Sequence, residues 1–238
     1  MLRFEVVPVG RGDIRLCSRC PATVDSNYYD PADLDVSLTG VVTGWGTTGP
    51  GPNVVLAGPE PLNHPRLPDL IRRTVDLGVK RLALRTDAAG LAVGRNAEGV
   101  IASGVRHLHV VCAGEEIGTA RVPSATARSI AGIRAFGEAA DNARVEVAIV
   151  GIVPVCAHNV RLLPEIVAML ASEGARLIRL EIAFSAIDHS DVAEWCASAF
   201  HTGILSGAWV DVPDAPQSVL ERIDVRRSPL VLTSAVRA

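Results

Sequence analysis

Residues 53–61 are Asn-Val-Val-Leu-Ala-Gly-Pro-Glu-Pro, a short apolar run followed at once by a proline-rich turn. A near-continuous apolar run is typical of a strand buried on both faces, as in a parallel sheet covered by helices. The turn is rigid, because Pro59 and Pro61 restrict the φ angle and lack an N–H donor. Between them, Glu60 is predicted to project over the carboxyl end of the strand, where its carboxylate suits a ligand ammonium group. The alternative is a plain tight turn into the next helix.

The alternation of apolar runs and helical stretches continues to about residue 203. Five further β-rich runs are predicted, at residues 3–9, 81–85, 107–112, 144–153 and 177–182. Helical stretches lie between them, and a glycine ends a helix directly before a strand at Gly78, Gly104 and Gly174. This rhythm predicts an α/β fold, either a barrel or a doubly wound sheet. The pattern changes near residue 203, so we expect a main domain at 1–203 and a small C-terminal extension at 204–238 packed on it.

The composition argues against several classes of function. The chain has 238 residues, of which 48% are hydrophobic and 21% charged, an ordinary globular balance. A formal net charge of -3 gives no reason to expect a nucleic-acid partner. No apolar stretch reaches the ~18 residues of a membrane span, and the first residues lack the apolar region of a signal peptide. The five cysteines suggest no disulfide framework, so we expect a cytoplasmic protein without a membrane partner.

Two of the cysteines, Cys17 and Cys20, stand close together in the predicted loop after the first strand. Loops at the carboxyl ends of barrel strands are where functional residues gather. A Cys-x-x-Cys pair occurs in redox sites, in zinc sites and in iron–sulfur sites. The spacing alone leaves these alternatives open, together with an incidental pair.

The loops after the first three strands, taken together, resemble those of the radical S-adenosylmethionine (SAM) superfamily. The family's Cys-x-x-x-Cys-x-x-Cys cluster motif matches residues 13–20, with Asp13 where the first cysteine should stand. Its Gly-Gly-Glu-Pro motif matches residues 58–61, and its Thr-Asn-Gly motif matches residues 86–88 as Thr-Asp-Ala. The resemblance extends over residues 4–184, and the order and spacing of the motifs are specific together.

The resemblance implies an open, partial (β/α)6 barrel of the TIM type with two cofactors. A [4Fe–4S] cluster would be held by Asp13, Cys17 and Cys20. SAM would be bound at the next loops by Gly58, Pro59, Glu60, Pro61, Thr86, Asp87 and Cys112. In this family the reduced cluster cleaves SAM to a 5′-deoxyadenosyl radical, which abstracts hydrogen from a small-molecule or peptide substrate.

Asp13 divides the functional interpretation into two hypotheses. Iron in such clusters is held by soft thiolates, and carboxylate is a harder, less common ligand. In the first hypothesis the cluster site is degenerate, and the chain is a catalytically impaired homologue, a pseudoenzyme, that acts as a partner or binding subunit in a biosynthetic pathway. Its protein partner would be an intact radical SAM enzyme or a substrate carrier. In the alternative, Asp13, Cys17 and Cys20 hold a working cluster in an active enzyme. The sequence assigns no catalytic residue.

Other polar residues in the strands and loops are weaker candidates. His107 and His109 alternate along the fourth strand and therefore share one face, either as pocket residues or as a core histidine pair. Cys156 and His158 follow the fifth strand but are too few to make a metal site. Glu181, in the apolar sixth strand, either contacts substrate or pairs with an arginine.

Overall fold

The computed structural model describes residues 5–11, 28–44, 53–114, 125–182 and 189–213, and the structural statements below concern these residues. The chain divides into two units. Unit 1 comprises Met1–Val111 and Ala127–Ile149, and unit 2 comprises Cys112–Thr126 and Val150–Ala238.

Unit 1 is built on parallel strands that pair in the order of the sequence. These strands are β1 (Glu5–Pro8), β2 (Asn53–Ala57), β3 (Arg81–Thr86) and β4 (His107–Val111). The helices are α1 (Pro31–Gly44), α2 (Leu67–Asp76), α3 (Asn96–Ala102) and most of α4 (Ala125–Ala143). Single turns of 3-10 helix at Pro61–Asn63 and Ala89–Ala92 follow β2 and β3.

The register of the sheet aligns one row of leucines across unit 1. Leu56 pairs with Leu84, and Leu84 pairs with Leu108. All three side chains have 0% exposure. Removing large aliphatic side chains from water is the main source of stability in such a core. Helix α4 contributes Ile133 and Phe136, whose exposures are 1% and 0%.

Unit 2 continues the same alternation. It contains β5 (Ala148–Val155, whose first two residues belong to unit 1), β6 (Leu177–Ile182) and β7 (Trp209–Asp211), all parallel. The helices are α5 (Leu163–Ser172), preceded by a 3-10 turn at Val160–Leu162, and α6 (His189–Leu205). Two glycines permit close packing in this unit: a Cβ on Gly151 would lie 2.9 Å from a Leu170 methyl, and one on Gly203 would overlap the Val210 side chain.

The structure confirms the predicted α/β class, with parallel strands in sequence order. The bounds of β2 and β6 are those predicted, and Gly78, Gly104 and Gly174 all have the positive φ angles of helix-ending glycines. The described residues hold seven strands, because β7 follows the six predicted ones. The sequence prediction placed the start of the fifth strand at residue 144, which is wrong. Helix α4 continues to Ala143, and Arg144 has a φ of 53°, so β5 begins only at Ala148.

Among the helices of the described segments, none combines the length and the apolar character that crossing a membrane requires.

Candidate active site

The candidate site lies in unit 1, where two neighbouring parallel strands end. Glu60 stands in the loop that follows β2, and Thr86 is the last residue of β3. Because the carboxyl ends of parallel strands meet at one edge of a sheet, these loops are adjacent. Gly58 has a φ of 108°, a conformation that favours glycine, and the next residue, Pro59, is buried. The turn therefore has a rigid, buried base and carries Glu60 on the sheet edge.

The Glu60 carboxylate joins the two loops. Its Oε1 accepts hydrogen bonds from the Leu62 backbone N–H at 3.0 Å and from the Thr86 hydroxyl. Its Oε2 accepts a hydrogen bond from the Asp87 backbone N–H at 2.8 Å. The Gly-Pro-Glu-Pro turn and the Thr-Asp-Ala stretch are thus held together through one side chain. Glu60 and Thr86 therefore lie together at the carboxyl ends of β2 and β3, while Cys17, which we expect at the same edge, lies outside the described residues.

Burial and a neighbouring charge set the protonation of Glu60. Burial, and after it the nearby Asp87 carboxylate, raise the pKa of the Glu60 carboxyl to about 7. Hydrogen bonds from Thr86, Asp87 and Leu62 favour the charged form and oppose this shift. Glu60 is therefore a carboxyl group whose charge changes close to neutral pH, unlike an exposed glutamate.

The backbone of Glu60 is hydrogen-bonded by Tyr28, whose ring in turn contacts His64. The Tyr28 hydroxyl donates to the Glu60 carbonyl oxygen at 2.9 Å, and the ring of Tyr28 meets His64 edge to face at 5.1 Å. His64 Nδ1 accepts from the Arg66 backbone N–H, so Nε2 carries the proton and donates to the Tyr29 carbonyl. This buried, neutral histidine fixes the start of α2 relative to the segment containing Tyr28.

The loop after β3 is a tight turn centred on Ala88. The Thr86 hydroxyl accepts from the Ala88 N–H at 2.9 Å, and Asp87 Oδ1 accepts from the Ala89 N–H at 2.8 Å. Ala88 is fully buried and has a φ of 64°, in the left-handed region that favours glycine. The loop thus holds an alanine in a backbone conformation that favours glycine.

Cys112 lies in unit 2, in the segment that follows β4. Its side chain is 3% exposed, and its backbone N–H donates to the Ile152 carbonyl at 2.9 Å. Burial raises the pKa of the Cys112 thiol, which opposes formation of a thiolate, while hydrogen bonds from the Gly114 backbone and the Thr126 side chain act in the opposite direction. The structure thus shows a packed thiol, and its predicted place beside a ligand ribose stays a prediction.

Asn159 is a residue of unit 2 that the sequence did not single out as a site residue. It has 0% exposure; its Nδ2 donates to the carbonyls of Ala113 and Pro154 at 2.9 and 2.8 Å. Its Oδ1 accepts from the Cys156 N–H at 2.9 Å. One amide therefore connects the segment after β4 with the segment after β5. Asparagine before a helix is a common cap. The sequence holds no signal for the hydrogen bond to Ala113, which lies 46 residues away along the chain.

The predicted cluster ligands Asp13, Cys17 and Cys20 lie outside the described residues. Within the described ranges, no group of three or more His, Cys, Asp or Glu side chains is placed to hold a metal ion.

The histidines of β4 and the acid of β6 lie in different units. His107 and His109 are half-buried on one face of β4, and burial together with the Arg81 charge lowers the pKa of His107. In unit 2, Arg179 pairs with Asp211 at 3.1 Å, and Glu181 is half-buried on the same strand as Arg179.

No protein-family model and no curated protein sequence matches the chain. Solved structures do match it. SuiB from Streptococcus suis, bound to S-adenosylmethionine, superposes with a TM-score of 0.60 and 12% identity, over 88% of this chain and 49% of SuiB. The same protein bound to its precursor peptide SuiA gives a TM-score of 0.61 at 12% identity, over 88% of this chain and 48% of SuiB. The chain thus spans about half the length of SuiB.

Two further solved structures widen the comparison. Native anSMEcpe with bound AdoMet matches with a TM-score of 0.55 and 11% identity, over 87% of this chain and 62% of anSMEcpe. The HMG-CoA lyase from Brucella melitensis matches with a TM-score of 0.52 and 14% identity, over 94% of this chain and 91% of the lyase. Identities this low show the fold alone. The matching structures confirm the predicted TIM-type α/β architecture. They include proteins solved with SAM and one that is a lyase.

Proposed function

We propose that this chain is a SAM-binding protein of the radical SAM type whose degenerate cluster site makes it a partner or binding subunit instead of a radical-generating enzyme. The observation that carries the proposal is the Glu60 carboxyl. It joins the loops after β2 and β3, the two loops whose motifs resemble the SAM-binding loops of that superfamily. The fold shared with two proteins solved with SAM supports the same ligand.

The residues of unit 1 fit an amino-acid ligand such as the methionine part of SAM. A carboxylate oxygen has about two acceptor sites, and Glu60 Oε2 accepts one hydrogen bond among those described. The Asp87 carboxylate, close enough to raise the pKa of Glu60, brings a second negative charge to the same place. An ammonium group bound there relieves the repulsion between the two acids. Glu60 and Asp87 would therefore bind the amino group, with Gly58 allowing the backbone to approach it.

The donor set for the cluster does not match the superfamily pattern. The chain offers one carboxylate, from Asp13, and two thiolates, from Cys17 and Cys20, where three thiolates are expected. A [4Fe–4S] cluster, when bound, supplies an electron to SAM. Without the third thiolate we propose ligand binding with no radical step, in the service of a protein partner such as an intact radical SAM enzyme or a substrate carrier. The peptide bound to SuiB supports a peptide as the molecule handled by such a complex.

An active enzyme that uses Asp13, Cys17 and Cys20 is the second candidate. It is favoured by the likeness to SuiB and anSMEcpe, both solved with SAM bound. The two candidates share the Glu60 site and differ in whether the protein takes up iron.

Calorimetric titration with SAM tests the shared site. We expect the protein without iron to bind SAM, and Glu60→Gln to weaken binding by about tenfold or more, because a charge-assisted hydrogen bond is lost. Glu138→Gln, at an exposed glutamate of α4, is the matched control and should leave binding unchanged. Absence of SAM binding in the unaltered protein contradicts the proposal.

Anaerobic reconstitution with iron and sulfide separates the two candidates. The binding-subunit proposal expects no broad absorption near ~400 nm and no cluster signal in the EPR spectrum of the reduced protein. Stoichiometric iron with such a signal supports the active enzyme instead.

A further inference from the structure

We infer that Gly132 of α4 is a positioning residue for Glu60, acting through the loop that follows β3. The absence of a side chain at this position lets the helix backbone lie directly against Ala88. The inference deepens the proposed function, on which its consequence for ligand binding rests.

The approach of α4 to the loop leaves no room for a side chain at Gly132. A Cβ atom built on Gly132 overlaps the Ala88 carbonyl oxygen, lies 2.7 Å from the Ala88 carbonyl carbon and lies 3.2 Å from its Cβ. Two of these atoms belong to the backbone and the third is the Cβ of the same fully buried residue, so none can rotate away as the end of a flexible side chain can. Any larger residue at Gly132 must displace either the helix or the loop.

Ala88 has little freedom to move without disturbing its neighbours. Its carbonyl oxygen accepts from the Leu91 N–H at 2.9 Å, and its own N–H donates to the Thr86 hydroxyl at 2.9 Å. Its left-handed φ already places it in a narrow region of allowed backbone conformations. Displacement of Ala88 is therefore passed on to Thr86 and to the adjoining Asp87.

Thr86 and Asp87 supply two of the three hydrogen-bond donors to the Glu60 carboxyl group. The Thr86 hydroxyl donates to Oε1, and the Asp87 N–H donates to Oε2. The close contact at Gly132 thus fixes the position, relative to α4, of the loop that orients the Glu60 carboxyl. The helix that supplies this contact is separated in sequence from Glu60, and none of its residues needs to touch the ligand.

Helix α4 contains its own control. Gly137 lies five residues, or about 1.4 turns, further along the helix, and a Cβ built on it meets nothing within 4 Å. Gly→Ala at either position raises intrinsic helix propensity equally. A difference between Gly132→Ala and Gly137→Ala therefore reports the contact with Ala88 and not a general effect on the helix.

The test is a pH titration of backbone amide resonances by NMR in the protein without ligand. The Asp87 amide proton, bonded to Glu60, should follow the ionisation of that carboxyl, with a midpoint near 7. In Gly132→Ala we expect this pH-dependent shift to fall by about half or more and Asp87 amide exchange to accelerate about tenfold, as expected for loss of a hydrogen bond. Gly137→Ala should match the unaltered protein. Unchanged Asp87 behaviour in a folded Gly132→Ala variant overturns the inference.

A second measurement needs no variant at Gly132. In the unaltered protein the Gly132 amide should follow the same titration as Asp87, the Gly137 amide should not, and Glu60→Gln should abolish the response. A Gly132 resonance that ignores the titration overturns the inference even if Gly132→Ala does not fold. Because no ligand is present, failure of the protein to bind SAM overturns only the proposed function.

Discussion

Burial and the Asp87 charge raise the pKa of Glu60 and favour its neutral form, whereas three hydrogen bonds lower the pKa and favour the charged form. An isolated buried carboxylate would be costly, and the donors around Glu60 offset part of that cost. The result is a group that can exchange a proton near neutral pH while remaining in a fixed position. Such a group is suited to bind an ammonium ion, because the incoming positive charge favours the ionised carboxylate.

The raised pKa of Glu60 predicts that stability depends on pH. Between about 4.5 and about 7 the folded chain keeps the proton on Glu60, while the unfolded chain has released it. The folded state binds more protons in this window, so the free energy of unfolding falls as pH rises through it and levels off above it. The contribution is roughly 3 kcal/mol. Urea unfolding between these pH values should show the fall in the unaltered protein.

Glu60→Gln is the comparison for this prediction. The variant lacks the titrating group, so its unfolding free energy should change less across the same pH window, while Glu138→Gln should retain the full change. Equal pH dependence in all three proteins would show that Glu60 is not the group responsible.

Thr86 is predicted to matter through its hydroxyl. The side chain has 0% exposure, donates to Glu60 and accepts from the Ala88 N–H. Thr86→Val keeps the shape and removes both bonds, so we expect a loss of about 1–3 kcal/mol in unfolding free energy and a Glu60 pKa above about 7. Thr43→Val, at an exposed position of α1, should cost less than about 0.5 kcal/mol. A Thr86 variant as stable as the Thr43 variant contradicts this role.

The helices and strands of the chain were largely predictable, since their signals are local. Apolar runs gave β2 and β6 with correct bounds, and glycine marked the ends of helices at Gly78 and Gly174. The boundary between α4 and β5 was not predictable. The run from residue 144 is apolar in alternation and suits a strand, but the helix extends to Ala143 and Arg144 turns the chain in a left-handed conformation. Local preference does not decide such a boundary when tertiary packing extends the helix.

The buried amide of Asn159 is predicted to hold together, within unit 2, the segment that follows β4 and the segment that follows β5. Asn159→Asp preserves the shape and the bond from the Cys156 N–H, but it replaces the donor to Ala113 and Pro154 with an acceptor. Acceptors facing acceptors in a buried site are unfavourable, so we expect about 3 kcal/mol of destabilisation at neutral pH. Chemical unfolding should show this, with Asn142→Asp, at an exposed position of α4, as the control. Equal stability of the two variants would show that the Asn159 amide does not hold these segments together.

Restoring the missing thiolate tests whether the whole scaffold still supports a cluster site. Under the proposed function, Asp13→Cys should gain absorption near ~400 nm after anaerobic reconstitution, since Cys17 and Cys20 already have the family spacing. Asp33→Cys, at an exposed position of α1, controls for iron taken up by an added thiol elsewhere. If the unaltered protein loads iron as well as Asp13→Cys does, the site is not degenerate.

The sequence by itself determined the α/β class, most strands, the helix-ending glycines and the two rim loops, because side-chain periodicity and turn chemistry act over a few residues. Only the tertiary structure decided which residues of the two loops contact each other. Glu60 meets Thr86 and Asp87 across 26 and 27 residues of chain, and its pKa depends on burial and on a charge that arrives by folding. The burial of Cys112 and the contact of Gly132 with Ala88 have the same origin. Desolvation and close packing are properties of atoms brought together in space, so no local pattern in the sequence specifies them.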